Sequence, residues 1–332
     1  MSAINKLVTE EGSRNLFVKG LYGSEASMTI ASLFLRSNRS FVCMLNDLEE
    51  AGYFYHDLVQ LTGSNDIFFF PSAYRRDIKY GHIDPANEIL KTEVLSMLED
   101  PIHSFVIVTY PDAVAEKVVA QTELATHTIK ISVGDTIDNM VLSDQLDAAG
   151  FQYVDYVYEP GQYALRGSIL DVFSFSYEFP YRIDFFGKEV ETIRTFDVET
   201  QLSKEKLSTI RIVPEMKKKA AINESSILSA LPEYCWLAAH DLAWCKERIS
   251  SLYNEDPITG DEDSFPDADA MRAKLITGEE FLRSALDFHR LNFGAKPVGV
   301  ADATVTFNSH PQPIYHKNFD LVGESFKKYL EE

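Results

Sequence analysis

Residues 20–27, Gly20-Leu21-Tyr22-Gly23-Ser24-Glu25-Ala26-Ser27, follow an apolar stretch and precede one with helical spacing. A phosphate-binding loop belongs at such a place, because the free N–H groups of a helix start attract an anion. The chemistry asks for a glycine at the sixth position, so that backbone can approach phosphate closely, and then for a lysine that neutralises it. Glu25 and Ala26 stand at those two places. A carboxylate repels phosphate, and alanine supplies no counter-charge. Gly20, Gly23, Glu25 and Ala26 therefore read either as a nucleotide loop stripped of its working groups or as an ordinary strand-to-helix turn. Both readings predict that no nucleotide binds.

A second constellation spans Tyr163-Ala164-Leu165-Arg166-Gly167-Ser168-Ile169-Leu170-Asp171-Val172-Phe173 and Pro180-Tyr181-Arg182-Ile183-Asp184-Phe185-Phe186-Gly187. Side chains alternate faces along a strand. Tyr181, Ile183 and Phe185 then share a face fit for a core, while Arg182, Asp184 and Phe186 share the other. Arginine and large aromatics dominate protein interfaces, because they bury area and form forked bonds to carboxylates. The plainer alternative is a solvated face with one locally covered phenylalanine, and the residue types alone favour it. Cys235, His240 and Cys245 do not have the spacing of a zinc site, and buried thiols beside Trp236 and Trp244 are the better reading. The acidic Asp261-Glu262-Asp263, with Asp267 and Asp269, lacks the glycine and terminal glutamate of a calcium loop. No nucleophile–base pair stands out.

These residues need elements to hold them. Residues 15–21 read as an apolar strand, and 26–36 as a helix through Met28, Ile30, Ala31, Leu33, Phe34 and Leu35. A strand at 40–45, a helix at 47–61 and a strand at 67–70 stopped by Pro71 follow; then come a helix at 87–98, entered through Asp84-Pro85, and a strand at 104–109. Strand and helix in this rhythm argue for a parallel α/β sheet. The texture then changes. After a strand at 128–132 and a helix at 142–149, β segments crowd together at 152–158, 163–175, 181–186 and 190–196. Turn residues at Glu159-Pro160-Gly161, Glu178-Phe179-Pro180 and Gly187-Lys188 separate them, which suggests a separate, largely antiparallel α+β domain. The last third opens with Lys217, Lys218 and Lys219, contains an apolar strand at 235–239, and carries an acidic stretch of loop composition at 254–270.

Composition bounds the partners. The 332 residues suggest two or three domains, and 45% apolar with 25% charged residues is an ordinary globular balance. The formal charge of −20 opposes that of duplex DNA binders and of proteins that seek anionic membranes. Three cysteines are too few and too scattered for a disulfide framework. No run of about eighteen apolar residues predicts a membrane span and no cleavable leader is evident, so the cytoplasm is the default compartment.

Several stretches carry a family resemblance: Gly20-Leu21-Tyr22-Gly23-Ser24, Glu159-Pro160-Gly161-Gln162-Tyr163-Ala164-Leu165-Arg166-Gly167, Pro180-Tyr181-Arg182-Ile183-Asp184-Phe185-Phe186-Gly187, Phe196-Asp197-Val198-Glu199-Thr200-Gln201 and Gln312-Pro313-Ile314-Tyr315-His316-Lys317-Asn318-Phe319-Asp320. In this order the chain resembles the UvrB-homology N-terminal third of the Mfd family of bacterial transcription-repair coupling factors. Its middle part also resembles the equivalent domain of the excision-repair protein UvrB. The resemblance implies an α/β fold: a degenerate RecA-like, UvrB-like body at 1–126, an inserted, largely antiparallel α+β UvrA-binding domain at 127–213, and a second UvrB-like α/β domain at 214–332. It implies a fragment that recruits UvrA to RNA polymerase stalled at DNA lesions, in transcription-coupled nucleotide excision repair. The fragment itself would have no cofactor and no catalytic residue. ATP, magnesium, RNA polymerase and DNA would be met by later domains of a full-length translocase, and a C-terminal regulatory domain would contact the fragment intramolecularly.

By the same resemblance, the UvrA contacts fall on Arg166, Arg182 and Phe186, with Asp184 as their neighbour. Arg182 and Phe186 are already on the odd face that alternation picks out, and this agreement turns the reading towards docking. The acidic 254–270 stretch matches no motif of the family, and 71–100 is short for UvrB's DNA-gripping hairpin. The rival from another class is a UvrB-like helicase relative acting on DNA directly; it needs a lysine where Ala26 stands.

Overall fold

The computed structural model describes residues 2–9, 14–73, 84–101, 103–216, 223–255, 268–294, 296–310 and 319–331. Lys217, Lys218 and Lys219, residues 256–267 of the acidic stretch, residues 312–318 of the final motif and residues 74–83 of the 71–100 segment lie outside the described residues.

After helix α1 (Ser2–Thr9) the chain alternates through β1 (Asn15–Lys19), α2 (Glu25–Ser37), β2 (Phe41–Met44), α3 (Leu48–Thr62), β3 (Ile67–Phe69), α4 (Pro85–Leu98) and β4 (Val106–Thr109). Helix starts fall where side chains can satisfy free backbone donors. The Asp47 carboxylate accepts the Glu50 N–H at 2.9 Å, and Asp84 accepts from Ala86 with Pro85 in the first turn of α4. Short elements α5 (Pro111–Ala115), β5 (Val118–Val119) and α6 (Gln121–His127) lead into the middle of the chain. There follow β6 (Ile129–Ser132), α7 (Asn139–Ala149), β7 (Gln152–Tyr153), β8 (Gln162–Arg166), β9 (Ile169–Val172), β10 (Tyr181–Phe186), β11 (Glu189–Phe196), β12 (Ser203–Leu207) and β13 (Thr209–Ile212). The last part holds β14 (Glu224–Ser225), α8 (Ile227–Ala230), β15 (Trp236–Ala239), α9 (Leu242–Asn254), α10 (Ala268–Ala273), α11 (Gly278–Leu286), β16 (His289–Asn292), β17 (Ala303–Thr306) and α12 (Phe319–Glu331).

Seven strands form one parallel sheet in the order β17-β1-β16-β15-β2-β4-β3. Every residue of β2, β4 and β15 is buried, which is why they read as unbroken apolar runs rather than alternating ones. Strands from the first and last parts of the chain interleave here and share one hydrophobic core. Residues 1–126 and 214–332, divided on sequence, thus contribute to the same sheet. A buried amide pair helps fix the interleaving: Asn292 Nδ2 donates to Asn15 Oδ1 at 2.8 Å, and Asn15 Nδ2 donates to the Val300 carbonyl at 2.9 Å. The strand expected at 15–21 stops at Lys19, because Gly20 leaves the β region with φ +84°.

The middle of the chain builds its own six-stranded sheet, β12-β11-β10-β9-β8-β7, antiparallel except for the β7–β8 edge. One face packs Tyr163, Leu170, Val172, Ile183, Phe185 and Ile193 against Leu142 and Leu146 of α7 and against the β6–β13 ribbon. The sequence reading of 163–175 as one strand is corrected: the chain turns at Gly167, φ +62°, and returns as β9. The strand expected at 152–158 is confined to β7, because Tyr156 and Tyr158 leave the sheet for the surface.

This unit is tied to the body at the carboxyl end of α4. Arg211 of β13 pairs with Glu99 at 3.8 Å and Asp100 at 3.6 Å, and Lys130 of β6 reaches Asp100 at 3.4 Å. Closer to the middle of α4, burial and then the charge of Glu178 push Glu93 up from an ordinary 4.5 to about 7. Between those two values the unfolded chain ionises and the folded one does not, so stability falls as pH rises through that window. Glu93→Gln should flatten the slope and be more stable than the parent above neutral pH, as read by urea midpoints across the range.

Gly20 makes a second prediction. A Cβ there would lie 2.4 Å from the Phe307 carbonyl at the end of β17, whereas at Gly23, φ +54°, it would meet nothing within 4 Å. Gly23→Ala should cost about 1–2 kcal/mol, the conformational penalty alone, and Gly20→Ala clearly more, since backbone must also move. Urea melts of the two variants compare them directly.

Candidate functional site

The face of the middle sheet turned away from α7 carries the predicted docking residues. Antiparallel register places Arg166 opposite Ile169, Asp184 opposite Ile169 from the other side, and Arg182 opposite Asp171. These side chains therefore share a face, with Phe186 at its margin. Alternation in β10 holds as read: Tyr181, Ile183 and Phe185 are buried, Arg182 and Asp184 are half-buried, and Phe186 is 77% exposed. A register shift between Asp184 and Phe185 keeps Phe185 in the core and turns Phe186 out towards Glu189. Arg166 ends β8, directly before the turn at Gly167.

The centre of this face is Asp171, only 1% exposed. A carboxylate so far from water needs charged partners. Arg182 supplies a fork, Nε to Oδ1 at 2.7 Å and Nη2 to Oδ2 at 2.8 Å, and Arg166 donates to Oδ2 from the other side. The hydrogen bond from Arg182 to Asp171 also raises the pKa of that guanidinium, which stays charged. The Arg182 guanidinium lies 4.2 Å from the centre of the buried Phe196 ring and reaches Gln201 Oε1 at 3.0 Å. Arg166 donates to the Asp155 carbonyl at 2.8 Å and lies over Tyr156 at 5.1 Å. Across the next pair, Arg194 faces Arg182 directly, a repulsive position in a bare sheet. Asp184 relieves it by taking the Arg194 guanidinium and the Thr192 hydroxyl, the latter at 2.6 Å.

All four residues expected at the docking face are thus brought together, but not in equal states. The Arg182 side chain is 13% exposed and committed to Asp171, while that of Arg166 is 37% exposed and keeps an edge towards solvent. Sequence reasoning missed Asp171, Arg194, Phe196, Gln201 and Tyr156. The signal for Asp171 was there, since it stands two residues from Ile169 on the same face; reading 163–175 as one strand hid the return that sets it opposite Arg182.

At the other candidate, the Glu25 carboxylate turns back on its own loop: its Oε2 accepts the Tyr22 N–H at 2.9 Å. Ala26 is buried, and the Ser27 hydroxyl donates to Asp57 Oδ2 at 2.7 Å and to the Ser24 carbonyl at 2.8 Å. The loop lines a cavity of about 490 Å³ together with Leu45, Glu50, Tyr53, Phe54, Asp57, His240 and Phe293. Cys43, Cys235 and Cys245 are buried thiols, and burial pushes Cys235 up to about 12. Among the described residues no group of three or more His, Cys, Asp or Glu is placed to hold a metal ion.

Residues 129–217 match the family described as the UvrB interaction domain, a stretch that contains the whole of the Asp171 face. The transcription-repair-coupling factor of Escherichia coli strain K12 is 28% identical over 195 residues, 58% of this chain and 17% of that protein. That of Haemophilus influenzae strain Rd is 29% identical over 209 residues, covering 62% and 18%. That of Bacillus subtilis strain 168 is 28% identical over 217 residues, covering 64% and 18%. The matched stretch thus spans less than a fifth of each relative. The chain is similar to transcription-repair-coupling factors over about 60% of its length, and its residues 129–217 match the UvrB interaction domain.

Proposed function

We propose that residues 127–213 are the UvrA-binding domain of a transcription-repair coupling factor, and that this chain is the module that recruits UvrA to RNA polymerase stalled at lesions. The observation that carries this reading is Phe186, a large aromatic 77% exposed beside clamped arginines, inside the stretch that matches the UvrB interaction domain. Exposed aromatics flanked by pre-oriented guanidinium groups are the usual centre of a protein interface. In this reading Phe186 fills an apolar recess on UvrA and the outer edge of Arg166 donates to a partner carboxylate. Arg182 acts mainly by holding Asp171, and through it Arg166, in place. Asp184, with Arg194, completes the rim.

The same reading makes the chain a non-enzymatic part of a larger machine. In this reading ATP and magnesium, RNA polymerase and DNA would be met by further domains, and a C-terminal regulatory domain would contact the fragment intramolecularly. The Glu25 carboxylate in the loop supports a chain without nucleotide of its own. The place of action would be the cytoplasm; among the described residues no helix is long and apolar enough to cross a membrane.

Titration of the 332-residue chain with purified UvrA, paired with thermal melts, tests the docking face. Phe186→Ala should weaken binding by about 2 kcal/mol, roughly thirtyfold, with stability within about 0.5 kcal/mol of the parent. Arg182→Ala should weaken binding too, but at a stability cost of about 3 kcal/mol, because a buried carboxylate loses its fork. Parental affinity in Phe186→Ala would sink the assignment of this face.

A separate arm addresses the helicase-like rival. Neither magnesium-ATP by calorimetry nor duplex DNA by anisotropy at physiological salt should give saturable binding. Tight DNA binding that weakens steeply with salt would favour that rival instead.

A further inference from the structure

The cavity over residues 20–27 has the wrong sign for the ligand its position suggests. Its floor is laid by the residues that directly follow adjacent parallel strands: Leu45 after β2, His240 after β15, Phe293 after β16, and Leu21 just beyond β1. Ligands of parallel α/β sheets enter there, at the carboxyl ends of the strands. Here, however, the walls bring Glu50 and Asp57 from α3, and neither lysine nor arginine is among the described residues that line the space. Glu50 Oε2 accepts the Asn46 N–H at 3.0 Å, leaving Oε1 3.6 Å from His240 Nδ1. Asp57 Oδ2 accepts the Ser27 hydroxyl at 2.7 Å, so two carboxylates line the space.

Aromatic groups complete the enclosure. Tyr22 and Tyr53 line it and are well exposed, Tyr53 at 69%, so their rings are not spent on the core. His240 lies against Phe293 with ring centres 5.7 Å apart, and Phe54 completes the aromatic lining. Carboxylates set among aromatic faces, in a space of about 490 Å³, suit an organic cation: the ring faces and the carboxylates both attract it, and a phosphate is repelled by both. We propose that this cleft, descended in position from a nucleotide site, binds a guanidinium or alkylammonium group. The proposal stands apart from the docking face, since no residue is shared.

The test is titration of the intact chain, followed by amide NMR shifts of residues 21–27 and 50–57, with argininamide and with spermidine as probes. Saturable shifts confined to these residues and weakened by salt are expected. Tighter binding of argininamide would point to a protein side chain as the natural ligand, and tighter binding of spermidine to a free polyamine. Asp57→Asn combined with Glu50→Gln should weaken either probe about tenfold or more. Tyr53→Ala, at an exposed position, should also weaken it while leaving the melt unchanged. Absence of saturation with both probes, parental affinity in both variants, or saturable magnesium-ATP shifts at the same residues would overturn the proposal.

Discussion

A carboxylate almost wholly removed from water needs hydrogen-bonding, charged partners, and Asp171 sets this condition for the whole outer face of the middle sheet. Two arginines from neighbouring strands converge on it, one from β8 and one from β10, so β9 becomes the spine to which both are pinned. Pairing of this kind contributes little net stability but makes every member hard to remove. Its consequence is geometric. The guanidinium planes are fixed before any partner arrives, Arg182 against Phe196 and Arg166 against Tyr156, and fewer side-chain rotations have to be frozen on binding. Phe186 can then stay exposed, because neither the core nor the ion network requires it.

The same electrostatic logic, with signs exchanged, shaped the loop at residues 20–27. A helix start that faces solvent collects an anion. Here the Glu25 carboxylate turns back to the Tyr22 N–H in the preceding turn, and Ser27 is tied to Asp57 instead of standing free. The strand-to-helix turn is kept because Gly20 must pass the Phe307 carbonyl, a packing demand independent of any ligand. The shape of the loop is thus fixed by packing.

What the sequence disclosed and what it withheld follow from the range of each interaction. Alternation in Tyr181–Phe186 is local, and it correctly separated Phe185 from Phe186. The placement of Glu25 and Ala26 after β1 is local too, and the start of α2 at Glu25 falls close to where the helical spacing put it. Asp171 was not, since its meaning depends on which residue stands opposite, and a missed turn at Gly167 removed that information. The interleaving of β15 and β16 between β1 and β2 joins residues about as far apart as the chain permits, and no periodicity encodes it. The Ser27–Asp57 contact likewise spans two helices whose relative position only packing decides.

The paired state of the arginines also reconciles an acidic chain with the arginine-bearing face proposed for docking. With a formal charge of −20, long-range attraction to an acidic partner is not available, and steering cannot be the source of specificity. Nor is the face a basic patch: three guanidinium groups, of Arg166, Arg182 and Arg194, stand against the carboxylates of Asp171 and Asp184. What remains is short-range, a set of oriented N–H edges around an exposed ring on a stiff sheet. Recognition built this way depends on fit and on donors already in position, and it falls off within a contact distance. A fold whose global charge repels nucleic acid can thus keep a selective site for protein without changing that charge.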